Sequence, residues 1–131
     1  MKIIDERRFG VYLLTFKEDG ILYVHVSDEA PETPEGLQQA IQVIAEMVNY
    51  KKVPLLNTRD EFALPSEEVR SFWAQKDSFP YGSAEAYVLP TLALKIIGNA
   101  YIIVNKPARP TKFFVNHDEA VVWLKTFLPK N

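Results

Sequence analysis

Residues able to act as acids, bases or ligands fall in a few places along the chain. Acidic doublets stand at Asp28-Glu29, Asp60-Glu61 and Asp118-Glu119. The third sits where a helix is expected to begin, and acids there favour the helix dipole. The first lies in an acidic loop, solvated. Asp60-Glu61 follows Val53 to Asn57, a short apolar segment that reads as a buried strand. In open α/β sheets, ligands gather outside the carboxyl ends of the strands. The groups expected there are Asn57, Thr58, Arg59, Asp60, Asn116 and His117. Arg59, Asp60 and His117 would suit an enzyme if they converge within hydrogen-bond reach around a cleft. Without that convergence they anchor loops through bonds to the backbone. His25 and His117 belong to no paired-His motif. A metal on either would need several carboxylates, so no metal site is expected and both read as structural or exposed.

Other chemistries lack their residues. The chain has no cysteine, which removes disulfides, thiol catalysis, zinc knuckles and iron–sulfur clusters. Gly10, Gly20, Gly36, Gly82 and Gly98 form no Gly-x-Gly pair, so neither a dinucleotide fingerprint nor a phosphate loop is present. No Gly-x-Ser-x-Gly elbow occurs. No cofactor is expected.

The 131 residues suffice for one domain, taken as 1–131, and 47% hydrophobic with 24% charged residues is ordinary for a globular protein. The net charge of −2 argues against nucleic acid. Charge is unevenly spread, however. From Ala86 to His117 the chain carries Lys95, Lys106, Arg109 and Lys112 and no acid. That field lies beside an apolar helix. It would suit an acidic partner or an anionic surface. The apolar run within it is broken by Pro90, Lys95 and Asn99, too short for a membrane span. The N-terminus has no long apolar stretch of a signal peptide, and the cytoplasm is the expected location.

The elements that must position these groups are legible from pattern. Val11 to Phe16 and Ile21 to Val26 read as strands joined by an Asp19-Gly20 hairpin. Leu22, Val24 and Val26 share one face. Thr33-Pro34 starts a helix, with Leu37, Ala40, Ile41, Ile44, Ala45 and Val48 at helical spacing and Tyr50-Lys51-Lys52 at its end. Val53 to Asn57 is a strand that Thr58-Arg59-Asp60-Glu61 leaves. Ser66 caps a second helix with Val69, Phe72 and Trp73 as its apolar face. Glu85 to Leu89 is a strand, and a third helix runs from Pro90 to about Val104. Thr111 to Val115 is the last strand. Asn116 with Glu119 fits the cap of a final helix containing Ala120, Val121, Trp123, Leu124, Phe127 and Leu128. The order β-β-α-β-α-β-α-β-α predicts an α/β fold with a single mixed five-stranded sheet.

That order, with Ile97-Gly98-Asn99, Tyr101, Asn105-Lys106-Pro107, Pro110-Thr111-Lys112, Phe114, Glu119-Ala120 and Trp123-Leu124, resembles the STAS (anti-sigma-factor-antagonist, SpoIIAA-like) and SEC14-like domains. It is most similar to small bacterial proteins of that kind common in Bacteroidetes. The resemblance implies a protein-interaction module switched by phosphate on a serine at the start of the second helix. Ser66 stands there, but the Asp-Ser-Ser-Gly-like word is absent, and a helix cap accounts for the residue.

The expectation is therefore a non-catalytic interaction or regulatory module, with a homodimer as one form of it, using the surface of Lys95, Gly98, Asn99, Tyr101, Lys106, Arg109 and Lys112. Gly98 would let another backbone approach there. The alternative is a small apolar-ligand or lipid-binding module. Its cavity would be lined by Leu92, Ile96, Tyr101 and Ile103, with Lys106 or Lys112 at the mouth.

Overall fold

The computed structural model describes residues 2–60, 65–75, 78–105 and 107–129, the side chains of 101 and 103–105 excepted. The chain forms a mixed α/β fold. Its strands are β1 (Ile3–Phe9), β2 (Tyr12–Lys17), β3 (Leu22–Val26), β4 (Val53–Arg59), β5 (Gly82–Val88) and β6 (Thr111–Phe114). Its helices are α1 (Pro34–Met47), α2 (Glu67–Ala74), α3 (Leu92–Asn105) and α4 (His117–Lys125). The strands make one sheet in the order β1-β2-β3-β4-β5-β6. β1, β2 and β3 are antiparallel neighbours. β3 to β6 run parallel.

The sheet thus has six strands, not the expected five. The unforeseen strand is β1, whose centre is Asp5-Glu6-Arg7-Arg8 and whose side chains stay exposed or half-buried throughout. With no side chain more than half-buried it has no apolar alternation to betray it.

Turns and caps follow local chemistry. Gly20 sits at φ +83° in the β2–β3 hairpin, where its N–H donates to the Lys17 carbonyl at 3.0 Å. A residue without Cβ adopts that conformation at no steric cost. Thr33 Oγ1 accepts from Gly36 N–H at 3.0 Å, Ser66 Oγ from Val69 N–H at 3.2 Å, and Asn116 Oδ1 from Glu119 N–H at 3.0 Å. All three expected N-caps are present. The end of α1 differs from expectation. Asn49 and Tyr50 turn left-handed, at φ 56° and 59°, and Lys51 and Lys52 lie beyond the last turn rather than in it. The last helix also stops at Lys125, so Phe127 and Leu128 lie outside it.

Parallel neighbours in sequential order, joined by right-handed crossovers, place α1, α2 and α3 on one face of the sheet. Buried side chains agree. Leu14, Val24 and Leu55 pack with Leu37 and Ile44 of α1 and Val69 of α2. On the opposite face Leu56, Ala84, Ala86 and Phe114 pack with Ala120 and Leu124 of α4. Period-two alternation along β4 therefore sends Asn57 and Arg59 toward α1–α3 and Thr58 toward α4.

Among the described residues, α3 meets the sheet chiefly at β6. A Cβ on Gly98 would lie 2.5–2.7 Å from three ring atoms of Phe113. The missing side chain thus admits the Phe113 ring, not the backbone of another chain. No helix among the described residues is long and apolar enough to cross a membrane.

Candidate functional site

α1 packs toward β2, and α3 toward β6. Over β4 and β5, between them, the helix-facing residues are Asn57, Glu85 and Tyr87. The helices present Ala40, Ala74, Gly98 and Ala100, which are too small to reach them. The result is a cavity of about 540 Å³ between the sheet and α1–α3. Its walls are mostly aliphatic and aromatic, with Leu14, Val24, Leu37, Ile44, Trp73 and Phe113 prominent. Pockets of ~300–1,000 Å³ with a few fixed polar groups are the usual small-molecule sites.

One polar station stands at the carboxyl ends of β3 and β4. Arg59 Nη1 donates to Glu32 Oε1, and the Tyr12 hydroxyl donates to Glu32 Oε2 at 2.6 Å. Burial, then the bond to Glu32, raises the Tyr12 hydroxyl above its ordinary pKa. Glu32 was not expected in a site. It belongs to a loop that composition alone reads as solvated, yet its side chain is 4% exposed.

A second station lies on β5. Glu85 is fully buried. It accepts from the Tyr87 hydroxyl at 3.1 Å and pairs with Arg109 Nε at 2.9 Å. Arg109 also donates to the Trp73 carbonyl at 2.9 Å and stacks over the Trp73 ring, 4.5 Å from its centroid. The guanidinium thereby ties β5, the approach to β6 and the end of α2 together. Burial pushes the Glu85 carboxyl up to about 7, although Arg109 pulls it down. The Tyr87 hydroxyl is also raised, by burial first and Glu85 second.

The expected strand-end constellation divides between the two faces. Asn57 and Arg59 reach the cavity, Asn57 donating to the Ala86 carbonyl at 3.3 Å. Thr58 and Asp60 instead meet His25, whose Nδ1 is 2.7 Å from Thr58 Oγ1 and whose Nε2 is 2.8 Å from Asp60 Oδ1. The bond from His25, then the Asp28 N–H at 3.1 Å, lowers the Asp60 pKa. His117 stacks on Tyr23, centroids 6.1 Å apart. Arg59, Asp60 and His117 therefore do not converge on one cleft. Asn116 and Ser66 spend their side-chain oxygens as helix caps. Glu61 and Lys106 lie outside the described residues, as does the Tyr101 side chain. His25 escaped the sequence reading because its partners follow from the β3–β4 register, His25 opposite Thr58.

Two further expectations change. Thr58 and Arg59 continue β4 rather than leaving it. Arg109 is not a surface cation. It is 7% exposed and neutralised by Glu85, the residue just before the acid-free segment. Of that segment's cations, Lys112 is exposed on the α4 side with its Nζ 5.3 Å from the Phe114 ring centroid, away from the cavity mouth. Lys95 and Asn99 are half-buried on α3. The cavity is lined by Leu94, Ile97, Gly98 and Ala100 of α3, while Leu92 and Ile96 point outward, more than 60% exposed. An apolar pattern on nearly all sides of α3 leaves its inward face undetermined by periodicity.

Among the described residues, no three His, Asp or Glu side chains are grouped to hold a metal. A protein-family model described as a domain of unknown function (DUF7793) matches residues 15–128. No curated protein matches. Among solved structures the chain is similar to a protein of unknown function from Arthrobacter sp. FB24, at 22% identity, with 85% of this chain and 96% of that chain covered. The TM-score is 0.29, too low for that likeness to inform the site.

Proposed function

The chain belongs to the DUF7793 family, and for it we propose the binding of a small, predominantly apolar molecule between the sheet and α1–α3. The cavity of about 540 Å³ carries this reading. Burying apolar surface is favourable by roughly 25 cal/mol per Å², so a ligand there gains affinity from the walls alone. Nile red is expected to bind saturably, with enhanced fluorescence. Val69→Phe and Ala40→Leu place added carbon in the cavity and should reduce that binding about tenfold or more, with the far-UV circular dichroism unchanged. A full, unchanged signal in both folded variants would remove the cavity as the binding site.

A second reading, interaction through the outer face of α3, has its own support. Leu92 and Ile96 are 63% and 61% exposed, next to Lys95. Contiguous exposed apolar side chains mark partner sites. In its simplest form this is self-association. Light scattering would then give a dimer mass that Ile96→Glu returns to a monomer; a monomer at all concentrations up to the millimolar range speaks against it. The STAS/SEC14-like assignment and a non-catalytic role remain part of this proposal. They are supported by the hairpin followed by three parallel crossovers and by the absent catalytic motifs.

A further inference from the structure

We infer that the ligand of this cavity is uncharged, a hydrocarbon-rich molecule without an ionised head group. The inference rests on the cavity reading above and adds to it the ligand's charge. A cavity built for an anion or a cation presents an unmatched countercharge. Here every ionised group at the two stations already has an internal partner. Both Glu32 oxygens are occupied, one by Arg59 and one by the Tyr12 hydroxyl. One Glu85 oxygen accepts from the Tyr87 hydroxyl, and the other is ion-paired with Arg109 Nε at 2.9 Å without the geometry of a hydrogen bond. Arg109 is further engaged by the Trp73 carbonyl. At the two stations, two carboxylates and two guanidinium groups sum to zero formal charge, and Arg70 is a further guanidinium of the lining. At the rim, Arg70 donates to the Pro65 carbonyl at 3.1 Å.

An ionised head could bind at either station only by displacing one of these partners. That would leave a buried charge without compensation, the costly way to disturb a buried pair. An uncharged ligand displaces nothing. The paired stations thus act against charged ligands while the apolar walls attract neutral ones, and selectivity is the difference between the two.

The test is displacement of Nile red from the full chain at pH 8 by three molecules of equal chain length: 1-decanol, decanoate and decylammonium. At that pH Glu85, whose pKa is about 7, is ionised and its pair with Arg109 is intact. Decanol should displace the probe at a concentration about tenfold or more below either ion. Glu32→Gln, which removes the negative charge paired with Arg59, should shift that preference about tenfold toward decanoate. Equal or tighter displacement by decanoate or decylammonium from the unaltered protein overturns the inference. So does bound probe that decanol cannot displace. If Nile red never binds, the cavity reading itself fails, and that outcome is distinct from a reversed order of ligands.

Discussion

Arg109→Ala is expected to destabilise the fold by about 3–5 kcal/mol, the usual consequence of removing one member of a buried ion pair. The arithmetic of the site explains why. Arg109 and Glu85 are 6% and 1% exposed at their side chains, so water cannot replace the lost partner. The same truncation strips a donor from the Trp73 carbonyl and a cation from the face of its ring. Domains of this size have only about 5–15 kcal/mol of stability in total, so the variant should unfold at far lower urea. The double variant Arg109→Met/Glu85→Leu removes both charges and should recover most of that loss. If it is as unstable as the single variant, packing rather than charge explains the effect. Acidity offers an independent check. The folded state raises Glu85 from 4.5 to about 7, so it holds the proton more tightly than the unfolded chain. The contribution of Glu85 to stability is therefore greatest below pH 4.5. It falls as pH rises toward 7, by roughly 3 kcal/mol, and is level above that. Asp60, with its pKa lowered, changes in the opposite sense, losing stability at pH values below the ordinary carboxylate range. The stability difference between the unaltered protein and Glu85→Gln should consequently slope across pH 5–7. A flat difference contradicts the buried, proton-holding carboxyl.

Gly98→Ala is the second large expectation. The new methyl would stand 2.5 Å from Phe113 Cδ1. The ring cannot yield easily, since it stacks on Tyr87 with centroids 4.9 Å apart. Overpacking of this kind costs about 1–3 kcal/mol. It should be relieved by lifting α3, because its other neighbours are few. Denaturation should show a lower midpoint, and amide exchange should accelerate in 92–105 more than in β2–β5. Phe113→Leu on the Gly98→Ala background should restore part of the midpoint by giving the methyl room. Uniform exchange throughout the chain would mean that α3 is not a separately detachable element.

Local rules read well from this sequence, and long-range pairing did not. Thr33, Ser66 and Asn116 act as caps because a cap needs only a side-chain oxygen and the N–H groups of the next turn. The amphipathic α1 is similarly local. Arg109 reads as a surface cation because its partner Glu85 lies on the neighbouring strand β5, and composition cannot see which carboxylate a guanidinium will meet. The His25–Asp60 pair, separated by 35 residues, depends on the β3–β4 register, and the Arg59–Glu32 pair, separated by 27, on how the loop before α1 folds back onto β4. Parallel register is set by crossover geometry and burial, not by the identity of the pairing residues. The cavity was the least legible feature. It arises from small residues at Ala40, Ala74, Gly98 and Ala100 on three different helices, and no single segment contains the signal.

The unforeseen strand β1 has a consequence for how this molecule behaves in a crowd. Without it, β2, which carries Leu13, Leu14 and Phe16, would be the border of the sheet and would offer its backbone to any passing strand. β1 takes up that bonding capacity and presents Asp5, Glu6, Arg7 and Arg8 in its place. Charged borders repel strand addition between molecules. The strand that is hardest to see in the sequence thus acts as a hem, keeping the apolar fabric behind it from being stitched to a neighbour.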